Sequence, residues 1–266
     1  MCSKLVLFLS LFLAVTSVAA QGVSLSPSRL FFTGNPGETV TETVTINNSS
    51  TTKDYVLSIN IKDWKREEDG TKVYFKADTL KTSNASWLST FENTVSIPAG
   101  TTQKVAVVMQ IPKDASTNAI TNSMLFFTQL PMKEDKANAS KGLGIITLFE
   151  FGIHVYYTPP SNTITSLEIT NIEELTDEES GNKNVAISVT NDGNVINDAT
   201  VAFELTNTET GEEIKIAPKS ISMLPQTDQV VQFELPQGLS GNYLGVTIIK
   251  MAGSNDLRVG EKSFSF

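Results

Sequence analysis

The sequence predicts an all-β protein of two β-sandwich domains in tandem, and three observations carry that prediction. Short segments alternate apolar and polar residues with a period of two. Gly, Pro and Asn punctuate the chain between those segments. No segment beyond residue 20 sustains a helical period.

The first element is not a strand. A Lys4-bearing start, an apolar run from Leu5 to Val15 and the small residues Val18-Ala-Ala20 form the pattern of a secretory signal cleaved before Gln21. The apolar run is short for a transmembrane helix and no second span follows, so the mature chain is expected to have no membrane span. Cys2, the one cysteine, leaves with that segment. An exported chain without thiols must hold itself by burial alone. Losing one Lys and no acid takes the net charge from −9 to −10, which argues against nucleic acid and anionic membrane surfaces as partners.

Alternation then marks strands at Thr41–Ile46, Tyr55–Ile61, Gln103–Ile111, Asn184–Thr190 and Gln229–Leu235. Turns are expected at Asn35-Pro-Gly37, Asp69-Gly70, Pro98-Ala-Gly100, Asn191-Asp-Gly-Asn194, Thr210-Gly211 and Gln237-Gly238. The polar runs 132–140 and Glu173–Asn182 read as loops. Pro159-Pro160 removes two successive N–H donors, so the sequence divides there at a short Pro-rich hinge. The expected domains are 22–158 and 161–266. Two themes recur: a strand ending in Asn plus a turn (Asn47-Asn48-Ser49, Asn191-Asp-Gly193), and Ser96-Ile-Pro against Ser222-Met-Leu-Pro225 before an alternating strand. Two related immunoglobulin-like modules fit this pattern.

Motifs for catalysis are sparse. One His and no mature Cys cannot assemble the usual structural zinc sets, and no Gly-x-Ser-x-Gly elbow or phosphate-cradling loop is present. The chain is therefore expected not to be an enzyme and to need no metal and no cofactor.

Three segments together resemble the periplasmic pilus-assembly chaperones of the chaperone–usher type. They are Val23-Ser-Leu-Ser-Pro-Ser-Arg-Leu-Phe-Phe32, Ser123-Met-Leu-Phe-Phe-Thr-Gln-Leu-Pro131 and Ile153-His-Val-Tyr-Tyr-Thr-Pro159. They are similar to that family's first, sixth and seventh strands, and the likeness is strongest over 22–160, the second half being a more generic immunoglobulin or fibronectin type III module. The resemblance implies a periplasmic protein that binds incomplete, pilin-like β-sandwich subunits, with an outer-membrane usher as a further partner. Its strand 143–157 would be lent to the subunit groove, presenting Ile145, Thr147, Phe149, Phe151 and Ile153. Each apolar member of that set, fully buried in a subunit, contributes about 1.5–3 kcal/mol.

The resemblance also implies that Arg29 and His154 anchor the subunit's C-terminal carboxylate. His154 stands where the family usually carries Lys, so its charge is expected to depend on pH near the ordinary value of ~6.5. Thr158 stands where the family usually carries an Arg that helps lock the domains. The competing reading is a cell-surface or secreted adhesive protein of tandem immunoglobulin-like modules that binds protein or polysaccharide, with Trp64, Tyr74 and Trp87 stacking on sugars.

Overall fold

A computed structural model describes residues 22–132, 147–176 and 182–266. The expected signal segment 1–20 and the first residues of the expected donor strand, through Ile145, lie outside them. The described residues are built from strands; the one helical turn is a 3-10 turn at Ala85–Trp87.

The first sandwich has two sheets. One runs in the order β1 (Val23–Ser26), β3 (Thr39–Asn48), β8 (Thr102–Gln110), β6 (Leu88–Thr90). The other runs β2 (Arg29–Phe32), β10 (Glu150–Tyr157), β9 (Thr121–Gln129), β4 (Tyr55–Arg66), β5 (Lys72–Lys76), with β7 (Thr94–Ile97) also on β4. Alternation decides what each strand buries. Val44, Ile46, Val105, Val107 and Met109 from the first sheet meet Leu30, Phe32, Leu57, Leu125, Phe127, Ile153, Val155 and Tyr157 from the second.

The second sandwich places β11 (Glu168–Thr176), β12 (Lys183–Asn191) and β15 (Thr227–Glu234) against β14 (Glu213–Met223), β13 (Asn197–Asn207), β16 (Asn242–Met251) and β17 (Leu257–Ser265). Its core is separate: Val185, Ile187, Val189, Val231 and Phe233 face Val201, Phe203, Leu205, Ile249 and Phe264.

Two elements differ from the sequence reading. The alternating run Val23–Phe32 is two strands in two different sheets, because the chain crosses from one sheet to the other at Pro27-Ser28. The acidic run starting at Glu173 is not a loop throughout: 173–176 continue β11, paired with 183–186 of β12, and Glu174 forms an ion pair with Lys183. On a strand with an open edge, carboxylates face water at little cost and discourage pairing with another chain.

The strand-ending asparagines share one role. Asn48 Nδ2 donates to the carbonyls of Lys53, Ile97 and Pro98, while its Oδ1 accepts from Ser50 N. Asn191 Nδ2 donates to the carbonyls of Val195 and Met223, while its Oδ1 accepts from Gly193 N and Asn197 Nδ2. Each side chain, fully buried, ties the end of one strand to the Ser-x-Pro or Ser-x-x-Pro turn across the sandwich.

The junction between the sandwiches is hydrogen-bonded on both sides. Ser161 Oγ donates to Thr117 O, and Asn162 Nδ2 donates to Asn118 O in the first sandwich and Asn194 O in the second.

Candidate functional site

The outer face of the β2-β10-β9-β4 sheet turns toward the second sandwich, and alternation puts its residues there. With Leu30, Phe32, Ile153, Val155 and Tyr157 committed to the core, Arg29, Phe31, His154 and Tyr156 must point the other way. β2 and β10 are the parallel pair, in a register that sets His154 beside Arg29 and Tyr156 beside Phe31. Both Arg29 and His154 line one interdomain cleft, with Arg66, Lys72, Tyr156, Asp198 and Lys250 also on its walls.

The floor is aromatic. Phe31 stacks on Tyr156 at 5.5 Å, Tyr156 on His154 at 5.9 Å, and the His154 ring meets Trp64 edge-on at 4.8 Å. Trp64 is buried, its Nε1–H donating to Ser123 O at 3.1 Å. Trp64 and Tyr156 form with Met124 and Phe126 a small apolar cluster that Ile196 and Leu224 of the second sandwich cover. Burial holds the Tyr156 hydroxyl protonated, its pKa pushed up to about 12.

Charge rings that floor. Arg29 Nη1 lies 2.8 Å from Asp198 Oδ1 and 2.7 Å from Oδ2, an ion pair between the sandwiches. The hydrogen bond to Asp198 raises the Arg29 pKa further. Burial pushes the Asp198 carboxyl up, but hydrogen bonds from Arg29 and Ser222 outweigh it and hold the pKa below the ordinary aspartate value. The Arg66 guanidinium lies 6.0 Å and the Lys72 ammonium 5.9 Å from the Trp64 ring centroid, beside His154.

That setting changes His154. Burial first, then the charges of Lys72, Arg66 and Arg29, lower its pKa to about 4, against a hydrogen bond to the Ser28 backbone. The imidazole is therefore neutral through the range where the sequence reading put its titration, and its buried Nε2 has no hydrogen-bond partner.

No family model matches the chain, and no curated protein matches it. Solved structures do. The class 5 fimbriae chaperone CfaA aligns at a TM-score of 0.51 and 12% identity, covering 91% of this chain and 99% of that one. The YadV chaperone aligns at a TM-score of 0.50, also with 12% identity and coverage of 91% and 99%.

The chain has the fimbrial-chaperone fold.

Within that chaperone fold, the expected donor residues occupy graded positions. Ile145 lies outside the described residues, Thr147 is exposed ahead of β10, Phe149 and Phe151 are half-buried at the rim of the core, and Ile153 is fully buried in the chain's own core. Residues 150–157 of β10 pair with β9, but β2 covers only 154–157, so among the described residues no strand pairs the side of β10 away from β9 over 150–153. That opening follows from the crossing at Pro27-Ser28, which takes β1 to the opposite sheet.

Thr158 makes no interdomain ion pair; its N–H donates to Phe32 O, and Arg29 with Asp198 supplies the pair instead. Of the sugar-stacking aromatics, Trp64 is buried in the interdomain cluster and Trp87 rests edge-on against Tyr157, leaving Tyr74 exposed. Sequence reasoning missed Arg66, Lys72 and Asp198. Arg66 and Lys72 are paired across the base of a hairpin whose Glu67-Glu68-Asp69-Gly70 tip was legible, and Asp198 follows the legible Asn191–Asn194 turn. The order of strands in the first sandwich's sheet brings Arg66 and Lys72 to the cleft, and the docking of the second sandwich brings Asp198 to Arg29.

Proposed function

We propose that this protein is a periplasmic chaperone that binds incomplete β-sandwich, pilin-like subunits through the open edge at the start of β10. The observation that carries the reading is the one-sided pairing of Glu150–Ile153, next to half-buried Phe149 and Phe151. An unpaired strand edge with apolar side chains on alternate positions is what a sandwich lacking a strand can pair with. The lent segment is 143–151, carrying Ile145, Thr147, Phe149 and Phe151; Ile153 belongs to the chain's own core and acts as its fixed root. An outer-membrane usher then receives the complex. Arg29 anchors the subunit's terminal carboxylate, sharing its guanidinium with Asp198, and neutral His154 offers at most one N–H.

The test is periplasmic co-expression with a pilin-like subunit encoded beside this gene, measuring soluble subunit recovered. Wild type is expected to raise recovery severalfold, Ile145→Asp with Phe149→Asp to abolish the gain, and Arg29→Ala to lower it. If recovery is the same with all three proteins while each melts normally, the reading is wrong.

A further inference from the structure

The cleft beside Arg29 holds more positive charge than the chain neutralises. Asp198 occupies Arg29 alone, and Arg66 and Lys72 have no acidic partner among the described residues. Arg66 spends one N–H on the Gly70 carbonyl at 2.8 Å, whereas the half-buried Lys72 sets its ammonium 5.9 Å from the Trp64 ring centroid. Burial and the neighbouring Arg66 charge both disfavour its protonated form. A partly desolvated cation with a cation beside it and no counter-ion is electrostatically unsatisfied. An anion entering the cleft relieves that penalty and would bring its own charge next to the stacked rings of His154 and Tyr156.

We propose that Lys72, supported by Arg66, is the second cationic contact for a carboxylate bound in the interdomain cleft, the position that His154 cannot serve. This rests on the reading that the cleft takes a client carboxylate. The ligand class is an apolar or aromatic chain end with a free carboxylate: the carboxylate meets Arg29 and Lys72, and the preceding side chain lies against His154 and Tyr156, the two rings that line the cleft.

The experiment is a titration of the full-length mature protein with N-acetyl-L-phenylalanine, and separately with its carboxamide, followed by the indole N–H resonance of Trp64. The acid is expected to shift that resonance saturably and the amide not to. Lys72→Gln is expected to weaken the acid about fivefold, Lys72→Arg to restore it, and His154→Gln to weaken it less than Lys72→Gln does. If Arg29→Gln removes binding and Lys72→Gln leaves it at the wild-type level, the assignment of Lys72 is overturned while the cleft reading stands. If the acid and the amide behave alike in the wild-type protein, both are overturned. A melting curve for each variant separates lost binding from lost folding.

Discussion

An imidazole set among three cations reports on its surroundings. The folded state holds the His154 pKa at about 4, while the unfolded chain titrates near 6.5, so on acidification the unfolded state takes up its proton first. The sign follows. The contribution of this residue to stability is fully present above about pH 6.5, is lost as pH falls through the interval down to about 4, and changes no further below it. Urea melts between pH 4 and 7 are expected to show that loss in the wild type and a shallower one in His154→Gln. An imidazole resonance that titrates near 6.5 in the folded protein would sink the assignment of a neutral ring.

Gly193 makes a second residue-scale argument. A Cβ placed there would lie 2.5 Å from Ile164 O and 2.9 Å from Ser166 N, both backbone atoms that cannot rotate away. Gly193→Ala should therefore cost roughly 1–3 kcal/mol, the usual penalty of forced overpacking. Thermal unfolding measures it, and an unchanged midpoint contradicts the close approach.

At the scale of elements, the buried Asn at the end of β3 and its counterpart at the end of β12 are the sharpest comparison. Asn48→Ala leaves the Ile97 and Pro98 carbonyls without that donor, and Asn191→Ala does the same to Met223. Each should lower stability by about 1–3 kcal/mol, with the two changes nearly additive because they lie in different sandwiches. Denaturant melts of the single and double variants check both the size and the additivity.

These asparagines also show what the sequence made legible. The strand-ending Asn and the Ser-x-Pro turn were each readable as recurring themes, but not that the first donates to the carbonyls of the second, since the two lie far apart in the chain. The strands Tyr55–Ile61, Gln103–Ile111 and Asn184–Thr190 were readable because one face of each is buried. The split of Val23–Phe32 was not, since alternation continues across the break and period two carries no record of which sheet a strand joins. The acidic start of the 173–182 run misled for a related reason: charge reports exposure, and an edge strand is exposed. Arg29 and His154 were found through local strand motifs. Lys72 and Asp198 could not be, because the first reaches the cleft through the order of strands in its sheet and the second through the docking of two sandwiches.

At the scale of the molecule, three kinds of contact join the sandwiches. One is the apolar cluster of Trp64, Met124, Phe126 and Tyr156 under Ile196 and Leu224. The Arg29–Asp198 pair, with both side chains about a third exposed at 34% and 36%, adds on the order of 0–1 kcal/mol. Asp198→Asn is accordingly expected to leave the melting midpoint almost unchanged, while Leu224→Asp, which puts a charge against Trp64, separates the two sandwiches into distinct unfolding steps in calorimetry. A single transition in the Leu224 variant would show that the cluster does not couple them.

The third kind is hydrogen bonds to backbone carbonyls. Val230 N in the second sandwich donates to Glu68 O at the tip of the β4–β5 hairpin, and the Asn162 amide bonds to both sandwiches at the elbow. A joint with a single strut swings; one fixed at an elbow and at a hairpin tip has to break a bond before it moves. On the proposed reading, a client would meet a finished mould rather than a closing jaw. Capture would then be paced by diffusion and by the charge of the cleft, with little ordering entropy of the joint left to lose.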